Sequence, residues 1–244
     1  LGFMGVLAGF IILSYYSVVA GWTIHYTFLS VNGELAEMAS SWETLDTYFG
    51  SEFLASGGNQ LFYHILFMAL TTGAVFFGVK GGIERVAKIL MPLLFVILAI
   101  LVVYSTTTEG FGEAVTFLFR PDFHTLTTGA VLEALGHAFF TLSLGMGAIM
   151  VYGSYMPKKN SITGSALLIV AMDTCVALLA GLAIFPLVFG NGLEPGAGPG
   201  LIFQTLPIAF GAMTGGQLFG TLFFLLLVFA AWTSSISLVE PAVA

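Results

Sequence analysis

The residues best placed to do chemistry are the polar side chains stranded inside long apolar runs. The stretch 139–147 places two hydroxyls, Thr141 and Ser143, and two glycines, Gly145 and Gly147, near the middle of one such run. Its chemistry reads in two ways. The hydroxyls can bond back to carbonyls one turn earlier while the glycines allow close helix packing. Alternatively the helix is broken, because each glycine costs about 1 kcal/mol against alanine in a helix. An unwound segment frees carbonyls and amides, which apolar surroundings tolerate only where they line a cavity. Freed carbonyls hold cations, and helix N-termini hold anionic groups. Asp173 lies about halfway along another apolar run. A carboxylate at membrane depth costs about 2.5–3.5 kcal/mol on insertion scales, so it is either a functional acid or one neutralised by protonation or a neighbouring hydroxyl. Ala230, Thr233 and Ser234 fall at i, i+3 and i+4, on one helix face. Two hydroxyls and a carbonyl there form a hard-oxygen site for a small cation, or the hydroxyls simply back-bond. Tyr16 sits deep in an aliphatic stretch, where a phenol needs a partner. Trp22 fits an interfacial belt. His137 lies one turn before Thr141 and either bonds to a neighbouring helix or has a functional role.

Elements that could hold these groups follow from composition. Of 244 residues, 58% are apolar and 8% charged, against about 25% charged in soluble domains. So apolar a chain leaves too little polar surface to face water. A net charge of −7 with six basic residues excludes a nucleic-acid binder, and one cysteine, Cys175, excludes a disulfide scaffold. A polytopic membrane protein remains. The uncharged runs predict six helices, about 2–29, 61–79, 86–106, 132–156, 162–189 and 217–244, joined outside by loops of about 30–60, 107–131 and 190–216. Within the last loop, 191–215 is read as dipping back. Runs such as Leu222–Leu227 do not alternate as barrel strands do. Lys80, Arg85 and Lys88 lie between the second and third helices and Lys158 and Lys159 between the fourth and fifth, which makes that side cytoplasmic; Arg120 is the exception. Acidic residues such as Glu34, Glu52, Glu109 and Glu194 occupy the opposite loops. The chain opens at Leu1 without a basic flank and closes at Ala244 inside an apolar run, so a fragment of a longer protein is expected.

Several strings together resemble the neurotransmitter:sodium symporter family, and its bacterial amino-acid branch most. They are SYYSVVAGW at 14–22, GGIERVAKILMP at 81–92, FFTLSLGMGAIMVYGSY at 139–155, PGLIFQTLP at 199–207 and AWTSSISLVEP at 231–241. The resemblance covers nearly the whole chain. It implies an all-α polytopic membrane protein with a partial inverted-repeat, leucine-transporter-like fold, one helix being broken. The chain would be the third to eighth transmembrane helices, carrying half of a binding site. Alone it should not transport.

The resemblance also implies roles. Tyr16 would donate to a substrate carboxylate, with Ile12 lining the pocket one turn away. The Phe140 and Thr141 carbonyls and the Ser143 hydroxyl would hold the substrate amine. Phe140 would close over the substrate as a gate, Tyr155 would serve the inner gate, and His137, counted with these gate residues, stands where animal members carry a glutamine that binds chloride, with a proton-linked role as its alternative. Met146 stands where the bacterial leucine transporter has a phenylalanine; a flexible thioether suits varied large apolar or aromatic side chains. Ser234 and Leu238 would complete the wall. Thr141 and Asp173 would hold a first sodium, and Ala230, Thr233 and Ser234 a second. Gly82 and Pro92 enclose nine residues, the spacing at which some members unwind the fifth helix. Animal members carry Asn at Asp173 and Ser at Ala177, so chloride-independent transport is expected.

The function implied is sodium-coupled symport of neutral, hydrophobic or aromatic L-amino acids by alternating access. It needs sodium ions, an amino-acid substrate and a lipid bilayer, with no organic cofactor and no nucleic acid, in the cell's inner (plasma) membrane. Another transporter of the same fold and a non-transporting amino-acid sensor are the alternatives. No HExxH or GxSxG motif and no carboxylate pair at membrane depth speaks for an enzyme.

Overall fold

The computed structural model describes residues 2–78, 82–124, 126–158, 160–196 and 198–243. Leu1, Lys80, Gly81, Lys159 and Ala244, used above for chain ends, orientation and one family string, lie outside the described residues. The described chain is helical, with no strand among the described residues. In order the helices are α1 (Gly2–Asn32), α2 (Glu34–Met38), α3 (Trp42–Thr47), α4 (Gly57–Phe76), α5 (Glu84–Ser105), α6 (Phe111–Phe119), α7 (Thr128–Thr141), α8 (Ala148–Tyr155), α9 (Ile162–Gly190), α10 (Gly198–Gly200), α11 (Leu206–Ala212) and α12 (Gly216–Val243). Wide π turns cover Tyr48–Phe53 and Leu201–Thr205.

Among the described residues four helices, α1, α5, α9 and α12, are long and apolar enough to cross a membrane by length and composition. Most of the run 61–79 falls in α4, which opens on Gly57, Gly58, Asn59 and Gln60, carries His64 and ends at Phe76, while residue 79 lies outside the described residues. The run 132–156 is divided between α7 and α8, each shorter than one span. Every backbone polar group at membrane depth needs a partner inside the protein, which long helices supply within themselves.

The expected outer loops are largely helical. Segment 30–60 holds α2, α3 and a π turn; 107–131 holds α6; and 190–216 holds α10, a π turn and α11. Their apolar residues explain this. Leu35, Leu45, Phe49, Phe53, Phe203, Leu206 and Phe210 are all buried in one cluster with Tyr26 and Leu29 of α1 and Phe223 and Phe224 of α12. A segment that buries its side chains must also satisfy its backbone, and helical turns do so locally. The 191–215 segment thus presses inward. Gln204 Nε2 donates to Asp46 Oδ1 at 2.6 Å, tying it to α3.

Trp22 packs against this cluster. Its ring meets Phe49, Phe53 and Phe203 edge-on, and its indole Nε1 donates to Gln60 Oε1 at 2.5 Å. Beside it, His25 stacks on Phe53 at 4.5 Å and shares a 2.6 Å hydrogen bond with the Tyr48 hydroxyl. Burial pushes that phenol up to about 12, with Tyr63, Glu34 and Glu52 adding to the effect, so it stays neutral.

Inside the bundle α1 is central. Gly21 lies against the Tyr63 backbone of α4, where a Cβ would come within 2.9 Å. The Ser17 hydroxyl meets His64 Nδ1 at 3.1 Å, and the buried hydroxyls of Thr71 and Ser235 join α4 to α12 at 2.8 Å. On the other side, Ser105 of α5 donates to the Leu182 carbonyl of α9 at 2.6 Å.

Candidate functional site

The site is built on the interruption between α7 and α8. Ser143 takes a left-handed conformation at φ 54°, and Gly145 and Gly147 follow at 81° and 83°. Only glycine adopts that region without a Cβ penalty, so a serine held there marks stored local strain. The chain turns tightly at the end of α7, where the Ser143 amide donates to the Phe140 carbonyl at 3.0 Å. Among the described residues no backbone amide reaches the carbonyls of Thr141 or Leu142. The Thr141 hydroxyl does not bond back along its helix; it goes to Asp173 of α9. The helix is therefore broken, and it offers free carbonyls.

Two glycines of α1 accommodate the break. A Cβ on Gly5 would lie 3.0 Å from the Gly147 amide nitrogen, and one on Gly9 would lie 3.4 Å from the Met146 carbonyl. Being four residues apart, they share one face of α1. From the far side α12 closes in, with Pro241 Cβ at 3.1 Å from the position of a Cβ on Gly147. The unwound segment is thus held between α1 and α12, and Met146, Gly147 and Ala148 are buried.

A cavity of about 320 Å³ opens beside this break. Ile12, Tyr16, Phe140, Thr141, Ser143, Met146, Ser234 and Leu238, all eight residues expected around a substrate, line it together with His137. They come from α1, α7, the break and α12, so only the fold brings them together. The apolar wall is Ile12, Phe140, Met146 and Leu238, and Met146 packs on Leu13 and Leu238. Hydroxyls of Tyr16, Thr141, Ser143 and Ser234 supply the polar wall, and the Tyr16 phenol interacts with the Ser234 side chain. A few convergent polar groups in an apolar recess fit a small amphipathic molecule.

The two candidate cation sites flank this cavity. Thr141 Oγ1 lies 2.7 Å from Asp173 Oδ1 and 2.8 Å from Oδ2. One hydroxyl proton is shared between two oxygens, leaving hydroxyl and carboxylate lone pairs for a hard cation. Asp173 touches Thr141 without lining the cavity itself. The second trio is only partly assembled. Thr233 Oγ1 donates to the Ala230 carbonyl at 3.0 Å and to the Phe229 carbonyl at 3.2 Å. Here back-bonding holds the hydroxyl, while its lone pairs remain open. Thr233 also faces a separate cleft of about 230 Å³ with Tyr152 and Ser237. Ser234 faces the substrate-sized cavity instead. Gly82 and Pro92 flank a wound segment: α5 is helical from Glu84, with Pro92 inside it.

Tyr155 lies away from the cavity. Its hydroxyl donates to Glu240 Oε1 at 2.7 Å, and Tyr152 and Ser237 pair at 3.0 Å nearby. Sequence reasoning missed Glu240, which is only 5% exposed. A buried carboxylate demands a donor, and two tyrosines three residues apart on α8 were the available signal. The pairs Thr71–Ser235 and Ser17–His64 were also missed, because neither residue type signals a partner far along the chain.

A broken helix lining a recess, with an acid and hydroxyls beside it, is the kind of arrangement in which membrane transporters hold small solutes and ions. Residues 46–244 match the Sodium:neurotransmitter symporter family. The chain belongs to that family. It is 43% identical over 246 residues to the uncharacterized sodium-dependent transporter YhdH of Bacillus subtilis, covering 100% of this chain and 53% of that protein. It is 38% identical to an uncharacterized sodium-dependent transporter of Haemophilus influenzae, over 98% of this chain and 53% of the other. The crystal structure of MhsT in complex with L-phenylalanine superposes with a TM-score of 0.87 at 46% identity, covering 100% of this chain and 55% of that one. The chain thus spans about half the length of the relatives it matches and shares the leucine-transporter-like fold.

Proposed function

We propose that this chain supplies one wall of the substrate site, and both cation sites in part, of a sodium-coupled symporter. The cargo is a neutral hydrophobic or aromatic L-amino acid, moved by alternating access across the cell's inner membrane. One observation carries the reading: eight residues scattered from position 12 to 238 line one cavity of about 320 Å³ at a helix break. The likeness to MhsT, whose crystal structure holds L-phenylalanine, supports an aromatic amino-acid cargo.

In this reading Tyr16 donates to the carboxylate, while the Phe140 and Thr141 carbonyls and the Ser143 hydroxyl accept from the amine. Ile12, Met146, Ser234 and Leu238 surround the side chain. Thr141 and Asp173 hold one sodium ion beside the carboxylate; Ala230, Thr233 and Ser234 hold another. Each ion screens charge that the cargo brings and links the break to its neighbours, so sodium and cargo favour each other's binding. Phe140 and His137 stand at the outer mouth, and Tyr155 on Glu240 serves the inner side. The Asp173 carboxylate supplies negative charge without chloride.

The test is uptake of labelled leucine and tryptophan into proteoliposomes by the full-length protein. An inward sodium gradient is expected to drive accumulation, unchanged when gluconate replaces chloride. Uptake indifferent to sodium overturns the coupling, and uptake that vanishes without chloride overturns the role of Asp173. Tight binding with no flux would mark a sensor instead.

A further inference from the structure

We propose that the groove between the inner end of α4, the start of α5 and the middle of α12 binds an anionic phospholipid, headgroup on Arg85 and one acyl chain along α4. A cavity of about 410 Å³ lies there, lined among others by Leu70, Gly73, Phe77, Arg85, Val86 and Trp232. It is separate from the cavity at the helix break and shares no residue with it.

Its chemistry is that of an amphiphile site. A Cβ at Gly73 would meet nothing within 4 Å, so the floor is open, and Phe77 is 70% exposed. All lining residues but Arg85 and Trp232 are apolar, and no acid lines the groove. The neighbouring cation Lys88 is engaged by Glu84, whereas Arg85 makes no ion pair with any of the described residues. The Trp232 indole Nε1 is buried and has no partner among the described residues. The groove therefore offers a guanidinium at one end, the Trp232 indole in its wall and apolar walls along its length.

Depth selects the occupant. Arg85, at the start of α5, falls on the side that the basic residues predict to be cytoplasmic, where the inner leaflet carries anionic headgroups. From Phe76 to Ala69, seven residues of α4 rise about 10 Å, about two thirds of one leaflet's roughly 15 Å of hydrocarbon. A phosphate meets the guanidinium in a charge-assisted, two-pronged contact. The acyl chain covers Leu70, Gly73 and Phe77 and passes the Trp232 ring. A free phosphate would leave the apolar length bare, and a neutral lipid would leave Arg85 without its counter-charge. Trp232 directly precedes Thr233, and Ser235 is bonded to Thr71 of α4. A lipid here therefore bears on the turn of α12 that carries the second candidate cation site.

The experiment uses the full-length protein in phosphatidylcholine bilayers containing dibrominated phosphatidylglycerol or dibrominated phosphatidylcholine. Bromine quenches indole fluorescence on contact, and the Trp232 signal is the difference between the wild-type protein and Trp232→Phe. Half-quenching is expected at about a fivefold lower fraction of the phosphatidylglycerol, the size of one basic residue's attraction to an anionic leaflet. Arg85→Gln should abolish that preference while quenching by phosphatidylcholine persists, and Arg85→Lys should keep it. Equal quenching by both lipids in the wild-type protein overturns the proposal, as does a preference that survives Arg85→Gln. So does a Trp232 that neither lipid quenches, because the groove is then covered by protein. The readout needs no transport, so it stands or falls apart from the symport reading.

Discussion

Asp173 and Thr141 show what a single side chain contributes. In apolar surroundings an acid needs a donor, and the Thr141 hydroxyl meets both of its oxygens within 2.8 Å. Asp173→Asn keeps a hydrogen-bonding partner for Thr141 and removes the charge. In the full-length protein the sodium concentration giving half-maximal uptake is expected to rise roughly tenfold, the loss of one charged oxygen ligand. A sodium titration of leucine uptake checks this, and an unchanged titration would remove Asp173 from the cation site. Met146 is only 6% exposed and packs on Leu13 and Leu238. Met146→Phe puts a rigid ring into that wall, where overpacking costs about 1–3 kcal/mol. Tryptophan uptake is expected to fall more than leucine uptake, as competition between the two would reveal. The polar types at 141, 143, 173, 233 and 234 were legible because such residues are costly in apolar runs. The partners of Glu240, Ser17 and Ser235 were not, since a hydrogen bond across helices leaves no periodic trace in the chain.

Among elements, the broken helix and its glycine bed stand out. The glycines at 145 and 147 were visible in the sequence, but two readings stayed open, because glycine allows either close packing or unwinding. The positive φ values at Ser143, Gly145 and Gly147 decide for unwinding. What the sequence did not show is the role of Gly5 and Gly9, whose bare face receives the break. Gly5→Val sets a branched side chain against the Gly147 backbone, where a Cβ alone would stand at 3.0 Å. Backbone cannot swing aside as a side chain can, so uptake is expected to be lost while the protein still inserts; membrane-fraction yield separates the two effects. The α4–α12 lock is a milder case. Thr71→Val removes one of two hydroxyls, and Ser235 keeps its bond to the Trp232 carbonyl at 3.0 Å. A loss of about 0.6–1 kcal/mol is expected, read as a small drop in the thermal midpoint.

Across the whole molecule, the outer cap is the largest departure from expectation. Segments read as loops carry Phe49, Phe53, Phe203, Leu206 and Phe210 into the cluster around Tyr26 and Phe224. Phe203 is fully buried at its centre, against Trp22, Tyr26, Phe49 and Phe224. Phe203→Ala is expected to destabilise the protein by about 3–5 kcal/mol, a large fall in the thermal midpoint with no change in any residue of the cavity. A null effect would mean that the 191–215 segment does not seal the bundle. The sequence by itself determined the solvent and the class of element, because long uncharged apolar runs suit only membrane-spanning helices. It also marked which polar residues were out of place, since each carries a desolvation cost wherever the chain folds. Only the tertiary structure decided which of them meet. The cavity joins α1, the break and α12 across more than two hundred residues of chain, and such juxtaposition depends on helix crossings set by small side chains in contact, which no local periodicity encodes.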